Sequence, residues 1–158
     1  MQYLAIIQSR LGSTRFPNKV LQTVGGVPMV RRVWLAAKES WADQVVVAWP
    51  ERYPDLDEND VLTRFKRLAA EFQPKYIIRL TADCPLITTK DINDAIQAFN
   101  RLGYPYYNNR KDGHDVQIFI PEYLATNGHK EHVINDAPNL GGTSVNTRED
   151  LESVRKLI

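Results

Sequence analysis

The chain has 158 residues, 43% of them hydrophobic and 25% charged, and a formal net charge of +1. That length suits one domain, 1–158, and the balanced charge argues against a protein built to coat nucleic acid. No apolar run approaches the ~20 residues of a membrane span, and no signal peptide is read at the N-terminus. The single cysteine, Cys84, excludes an internal disulfide. The expectation is a cytoplasmic protein with no nucleic-acid or membrane partner.

The apolar run Tyr3 to Ile7 predicts a buried strand. It breaks into a polar loop that carries Arg10, Arg15 and Lys19 around Gly12-Ser13-Thr14. Gly25-Gly26 predicts a turn, and Pro28 suits the first turn of a helix reaching about Ser40, with Val30, Val33, Trp34 and Ala37 inward. Gln44 to Trp49 reads as a buried strand. A helix from Asp60 places Val61, Leu62, Phe65, Leu68, Ala69 and Phe72 on one stripe. Lys75 to Leu80 is the next strand. Thr88 or Thr89 then caps a helix with Ile92, Ala95, Ile96, Phe99 and Leu102 inward. Later signals are weaker: short strands at Pro105–Tyr107, Asp115–Ile120 and Thr143–Val145, and short helices at 121–127 and 130–135. A final helix capped by Thr147 turns Leu151, Val154 and Leu157 inward. Strand, loop and helix in repetition imply an α/β domain with a mostly parallel central sheet.

The first loop carries the chemistry. A loop leaving a central strand opens into the crevice where open α/β sheets bind ligands. Free N–H groups at Gly12 and Ser13, with three nearby cations, suit a polyphosphate. The loop is neither a Walker A motif nor a G-x-G-x-x-G fingerprint, and a solvated basic loop is the competing reading.

The segment Gly12-Ser13-Thr14-Arg15-Phe16-Pro17-Asn18-Lys19-Val20-Leu21 resembles the opening signature of the cytidylyltransferase family, which makes CMP-sialic acid and CMP-Kdo, and most of all its spore-coat polysaccharide branch. The likeness continues through Asn59-Asp60-Val61-Leu62, Arg79-Leu80-Thr81-Ala82-Asp83-Cys84-Pro85-Leu86, Gly113-His114-Asp115-Val116, Glu131-His132-Val133 and Val145-Asn146-Thr147-Arg148-Glu149-Asp150-Leu151. It implies a nucleotide-diphospho-sugar transferase (Rossmann-like) fold and transfer of CMP from CTP to a sugar or sugar acid, with release of pyrophosphate. It further implies Arg15, Lys19 and Asp83 in the catalytic centre, and Arg10, Gly12, Ser13, Asn59 and Asp60 on the nucleotide. Arg79, Asp115 and His132 fall to the acceptor, and Asp83 and Asn146 to Mg²⁺.

Two departures stand out. Asn146 occupies the position of the family's second metal carboxylate, so less negative charge faces a metal. Asp112 and Asp115 are possible compensators. A helix and strand that the family usually carries before Asp60 are missing, and the region between Asp83 and Asn146 is short. A non-catalytic nucleotide or nucleotide-sugar binding protein is therefore the alternative, and a homodimer is left open. Cys84 with His114, His129 or His132 as nucleophile and base is a minor reading.

Overall fold

Five of the six residues of the first strand, β1 (Tyr3–Gln8), are buried, which places it inside a sheet rather than at an edge. The computed structural model describes residues 1–9, 16–126 and 144–158. A short 3₁₀ turn, Lys19–Leu21, leads to a hairpin of β2 (Thr23–Val24) and β3 (Val27–Pro28). Gly25 and Gly26 make its turn at φ +59° and +78°, a region that glycine enters without strain. Helix α1 (Met29–Lys38), β4 (Gln44–Ala48), α2 (Val61–Phe72), β5 (Tyr76–Thr81) and α3 (Thr89–Leu102) follow. Then come β6 (Tyr106–Asn108), β7 (Gln117–Phe119), α4 (Tyr123–Thr126) and α5 (Arg148–Arg155).

The sheet order is β4-β1-β5-β7-β6. β4 and β5 flank β1 in parallel, and β7 runs antiparallel to both β5 and β6. Only β7 is therefore reversed, and the expected mostly parallel sheet is observed. Leu4, Ile6, Ile77 and Phe119 pack on one face with Val61, Leu62, Phe65 and Leu68 of α2. Ala5, Ile7, Ile78 and Leu80 pack on the other with Val33 of α1 and Ile92, Ile96 and Phe99 of α3. Strand alternation thus assigns the apolar residues of β1 and β5 to one helix layer or the other.

A smaller cluster fixes the C-terminal segment. Phe16, Val24, Met29, Val145, Leu151 and Val154 are buried together. The Thr147 hydroxyl and Asp150 form a reciprocal cap at the start of α5, and the Asp150 carboxylate also accepts from the Asn146 N–H. Residues 144–146 are so held against the loop after β5, where the Val145 N–H donates to the Asp83 carbonyl at 2.8 Å.

Three expectations are corrected. Leu102 is 46% exposed, because α3 stops there and Gly103 turns the chain at φ +70°. Leu157 is 66% exposed, because α5 ends at Arg155, before a further inward turn. Ser144 and Val145 join no ladder, since the Val145 bond to Asp83 is a single link. Asn127, Thr143 and the segment 130–135 lie outside the described residues.

The loop between β6 and β7 is clipped to the start of α3. Asp91 caps α3 with Thr88 and also takes the Lys111 ammonium and His114 Nδ1, each at 2.6 Å. Burial pushes its carboxyl upward, but the hydrogen bonds from Lys111, His114 and Thr88 prevail and bring the pKa down to about 2. A lowered folded pKa contributes stability above the ordinary value of 3.8, which is lost as pH falls through about 2. Asp91→Asn should cost about 2 kcal/mol at pH 7. Urea unfolding of both proteins should show that difference shrinking between about pH 4 and pH 2.

Candidate nucleotide and metal site

Strands β1, β4 and β5 are parallel, so Gln8, Ala48 and Thr81 end at one edge of the sheet. Open α/β sheets bind ligands at this edge. The 3₁₀ turn after β1 delivers Lys19, the loop after β5 delivers Asp83, and the cap of α5 delivers Asn146. The Lys19 ammonium lies 3.6 Å from Asp83 Oδ2 and 3.5 Å from Asn146 Oδ1. Three residues picked out by motif, up to 127 positions apart, meet at one point.

Asp83 is continuous with a buried polar network. The Cys84 thiol is 3.6 Å from Asp83 Oδ1, 3.5 Å from Asp115 Oδ2, 3.6 Å from Ser144 Oγ and 3.1 Å from Thr81 Oγ1. Ser144 Oγ in turn donates to Asp112 Oδ1 at 3.4 Å. Burial pushes the Cys84 thiol well up, and the Asp83 charge adds to this. It therefore stays a neutral donor and is a poor nucleophile. His114 is engaged by Asp91 instead of Cys84, which sets aside that Cys–His pairing; His129 and His132 lie outside the described residues. Asp115 is 7% exposed, and burial raises its carboxyl from its ordinary value, with Asp112 and Asp83 adding repulsion.

The other predicted residues divide. Asp60 caps α2, accepting from the Thr63 N–H at 3.1 Å and the Thr63 hydroxyl at 2.8 Å. That helix N-terminus leaves Asn59 and Asp60 on the strand-end side of the sheet. Buried Arg64 holds their loop through a 2.6 Å bond to the Glu58 carbonyl. Arg79 is buried at 5% exposure, with its guanidinium on Gln8. Arg10, Gly12, Ser13, Arg15 and His132 lie outside the described residues. Sequence reasoning missed the thiol bridge from Asp83 to Asp115, and it missed Gln8 and Gln117. Only alternation along the strands could have flagged those two, as polar residues at inward positions.

The donor set suits a hard cation. Asp83 and Asn146 already turn oxygens toward one cation, the Lys19 ammonium. Among the described residues no group of three or more His, Cys, Asp or Glu is gathered for a metal. A Mg²⁺ ion here would therefore draw on Asp83, the Asn146 amide oxygen, phosphate oxygens and water, as Mg²⁺ commonly does.

Comparison with known proteins bears on family and fold. The cytidylyltransferase family model matches residues 4–49, which run from β1 through β4. The 3-deoxy-manno-octulosonate cytidylyltransferase of Trichlorobacter lovleyi is 32% identical over 120 residues, covering 66% of this chain and 47% of the relative. Its counterpart in Polynucleobacter asymbioticus is 37% identical over 112 residues, covering 60% and 44%. The chain is similar to cytidylyltransferases over part of its length. These matches span less than half the length of either curated relative. Two solved structures share the cytidylyltransferase fold. A cytidylyltransferase from Leptospira borgpetersenii superposes with TM-score 0.80 at 21% identity, covering 98% of this chain and 85% of that one. A CMP:2-keto-3-deoxy-manno-octonic acid synthetase complexed with CTP superposes with TM-score 0.75 at 17% identity, covering 99% and 98%. The spore-coat likeness rests on the spelling of Gly12 to Leu21 alone.

Proposed function

We propose that this chain transfers CMP from CTP to a sugar acid and releases pyrophosphate. The observation that carries the reading is the meeting of Lys19, Asp83 and Asn146 at the strand ends. The reaction asks mainly for in-line placement and for charge to oppose the phosphates. The anomeric hydroxyl oxygen of the acceptor bonds to the α-phosphorus. The bond from that phosphorus to the bridging oxygen breaks, pyrophosphate leaves with the electron pair, and the hydroxyl proton passes to solvent.

Lys19 faces the triphosphate, together with Arg10, Arg15 and the N–H groups of Gly12 and Ser13. Asn59 and Asp60 face the nucleoside, and Arg79, Asp115 and His132 the acceptor. Asp83 and Asn146 hold Mg²⁺, which when bound supplies positive charge to the phosphate oxygens. A cytoplasmic location belongs to the same reading, as does a nucleotide-sugar product that serves polysaccharide synthesis.

Pyrophosphate release from CTP and Mg²⁺ with 3-deoxy-manno-octulosonate and other sugar acids tests the function. Release that depends on both CTP and an acid supports it. CTP binding without release across the panel contradicts it. Asn146→Asp restores a carboxylate beside Asp83 and should lower the Mg²⁺ concentration for half-maximal rate about 10-fold, read from a metal titration of the initial rate.

A further inference from the structure

β4 is an outer strand of the sheet. It pairs with β1 on one side, and among the described residues no strand pairs with the other. Its five residues, Gln44-Val45-Val46-Val47-Ala48, carry no charge and no proline. Outer strands usually bear such guards, because a row of outward N–H and C=O groups invites another strand. Gln44 is exposed and Val45, Val46 and Val47 are half-buried, so the edge is open along most of its length.

The two faces beside this edge differ in charge. On one, Val46 packs with Tyr53, and Arg52 and Arg67 lie over that ring. Both arginines are already paired, with Glu71 and Asp55. On the other, Val45 and Val47 share a layer with Trp34 and Trp49, two of the protein's three tryptophans, both half-buried. Arg32 and Ala36 of α1 meet the loop after β5 and the start of α3. Trp34 is two residues from each, about 200° around the helix, which turns it to the opposite flank, over β4. The Arg31 guanidinium and the Lys38 ammonium lie 5.8 and 5.6 Å from its ring centre. Both are exposed, and among the described residues neither has a carboxylate within ion-pair distance.

We propose that the open edge of β4 docks an extended segment of a partner protein in which acidic and apolar residues alternate. The segment adds to the sheet as a further strand, held by main-chain hydrogen bonds. Alternate side chains of a strand point to opposite faces. The acidic ones therefore fall on the α1 face, against Arg31 and Lys38, and the apolar ones join Val46 and Tyr53. Trp34 supplies the aromatic anchor that such interfaces favour. A second copy is the other occupant to weigh. Two β4 edges paired about a two-fold axis bring α1 of one copy beside α1 of the other on the same face. Arg31 and Lys38 then meet their own charges, which opposes that pairing. The proposal stands on fold and charge alone and does not depend on the proposed reaction.

Calorimetry and tryptophan fluorescence on the whole chain test this with capped synthetic peptides, long enough to span β4, that alternate glutamate with valine or lysine with valine. The glutamate peptide should bind and shift the tryptophan emission, and the lysine peptide should bind at least about 10-fold more weakly. Arg31→Glu together with Lys38→Glu should reverse that preference. Trp34→Ala should weaken the glutamate peptide about 10- to 100-fold. Only every second residue of an added strand turns its N–H toward β4. N-methylation of either the glutamates or the valines should therefore abolish binding, and N-methylation of the other set should spare it. This last comparison uses the wild type alone, so it stays decisive if a variant does not fold. Failure of the wild type to bind the glutamate peptide overturns the proposal. So does equal binding of the two peptides, an unreversed preference in the folded double variant, or the same response to both N-methylated forms. If the chain sediments as a dimer and the glutamate peptide binds only by splitting it, the occupant is a second copy and the proposal fails.

Discussion

Asp83→Ala should lower kcat/KM for CTP-dependent pyrophosphate release by about 10³-fold or more and abolish the response to added Mg²⁺. Among the described residues Asp83 is the carboxylate that pairs with Lys19, and Asn146 beside it contributes no charge. A metal held by one carboxylate loses its anchor when that carboxylate goes. The fold should survive. The Asp83 side chain is 28% exposed, and the bond that fixes residues 144–146 uses its backbone carbonyl, which alanine keeps. Initial rates against Mg²⁺ concentration check this, with a thermal melt beside them. A variant that melts normally and still responds to Mg²⁺ would remove Asp83 from the metal.

The second large effect is on Lys19. Lys19→Ala should weaken CTP binding about 100-fold, since a point charge close to a phosphate is lost. In the structure its ammonium is divided between Asp83 and Asn146 at 3.6 and 3.5 Å, both longer than a tight ion pair. It is therefore free to turn to phosphate oxygens. Titration calorimetry with CTP reads the loss. The double variant with Asp83→Ala should fall short of the sum of the two effects, because the two side chains share one interaction. CTP affinity unchanged in Lys19→Ala would dismiss the phosphate assignment.

Much of the scaffold could be read in advance. β1, β4 and β5 are apolar runs bounded by polar loops, and α1 to α3 carry stripes at helical spacing, so period and composition agree there. The hairpin around Gly25-Gly26 has strands of two residues, too short for a period to emerge. Leu102 and Leu157 continue the apolar stripes of α3 and α5, but Leu102 is the last residue of its helix and Leu157 lies two residues past the end of its own, so neither turns inward. The antiparallel insertion of β7 between β5 and β6 depends on tertiary pairing, which no local pattern encodes.

The site was legible unevenly. Lys19, Asp83 and Asn146 come together as their motifs implied, although spacing alone says nothing of residues 127 positions apart. The thiol of Cys84 links Asp83 to Asp115, a role its buried apolar character conceals. The clip of Asp91 on Lys111 and His114 joins a helix cap to a loop 20 and 23 residues away. Gln117 looks like an ordinary polar residue until its register places it beside Arg79.

A crystal structure of the chain with CTP and Mg²⁺ tests the central claim most directly, through the atoms around the metal. The account predicts Mg²⁺ bonded to an Asp83 carboxylate oxygen and to CTP phosphate oxygens, with Lys19 turned onto the triphosphate. A triphosphate bound away from the strand ends, with Lys19 still on Asp83 and Asn146, would contradict it.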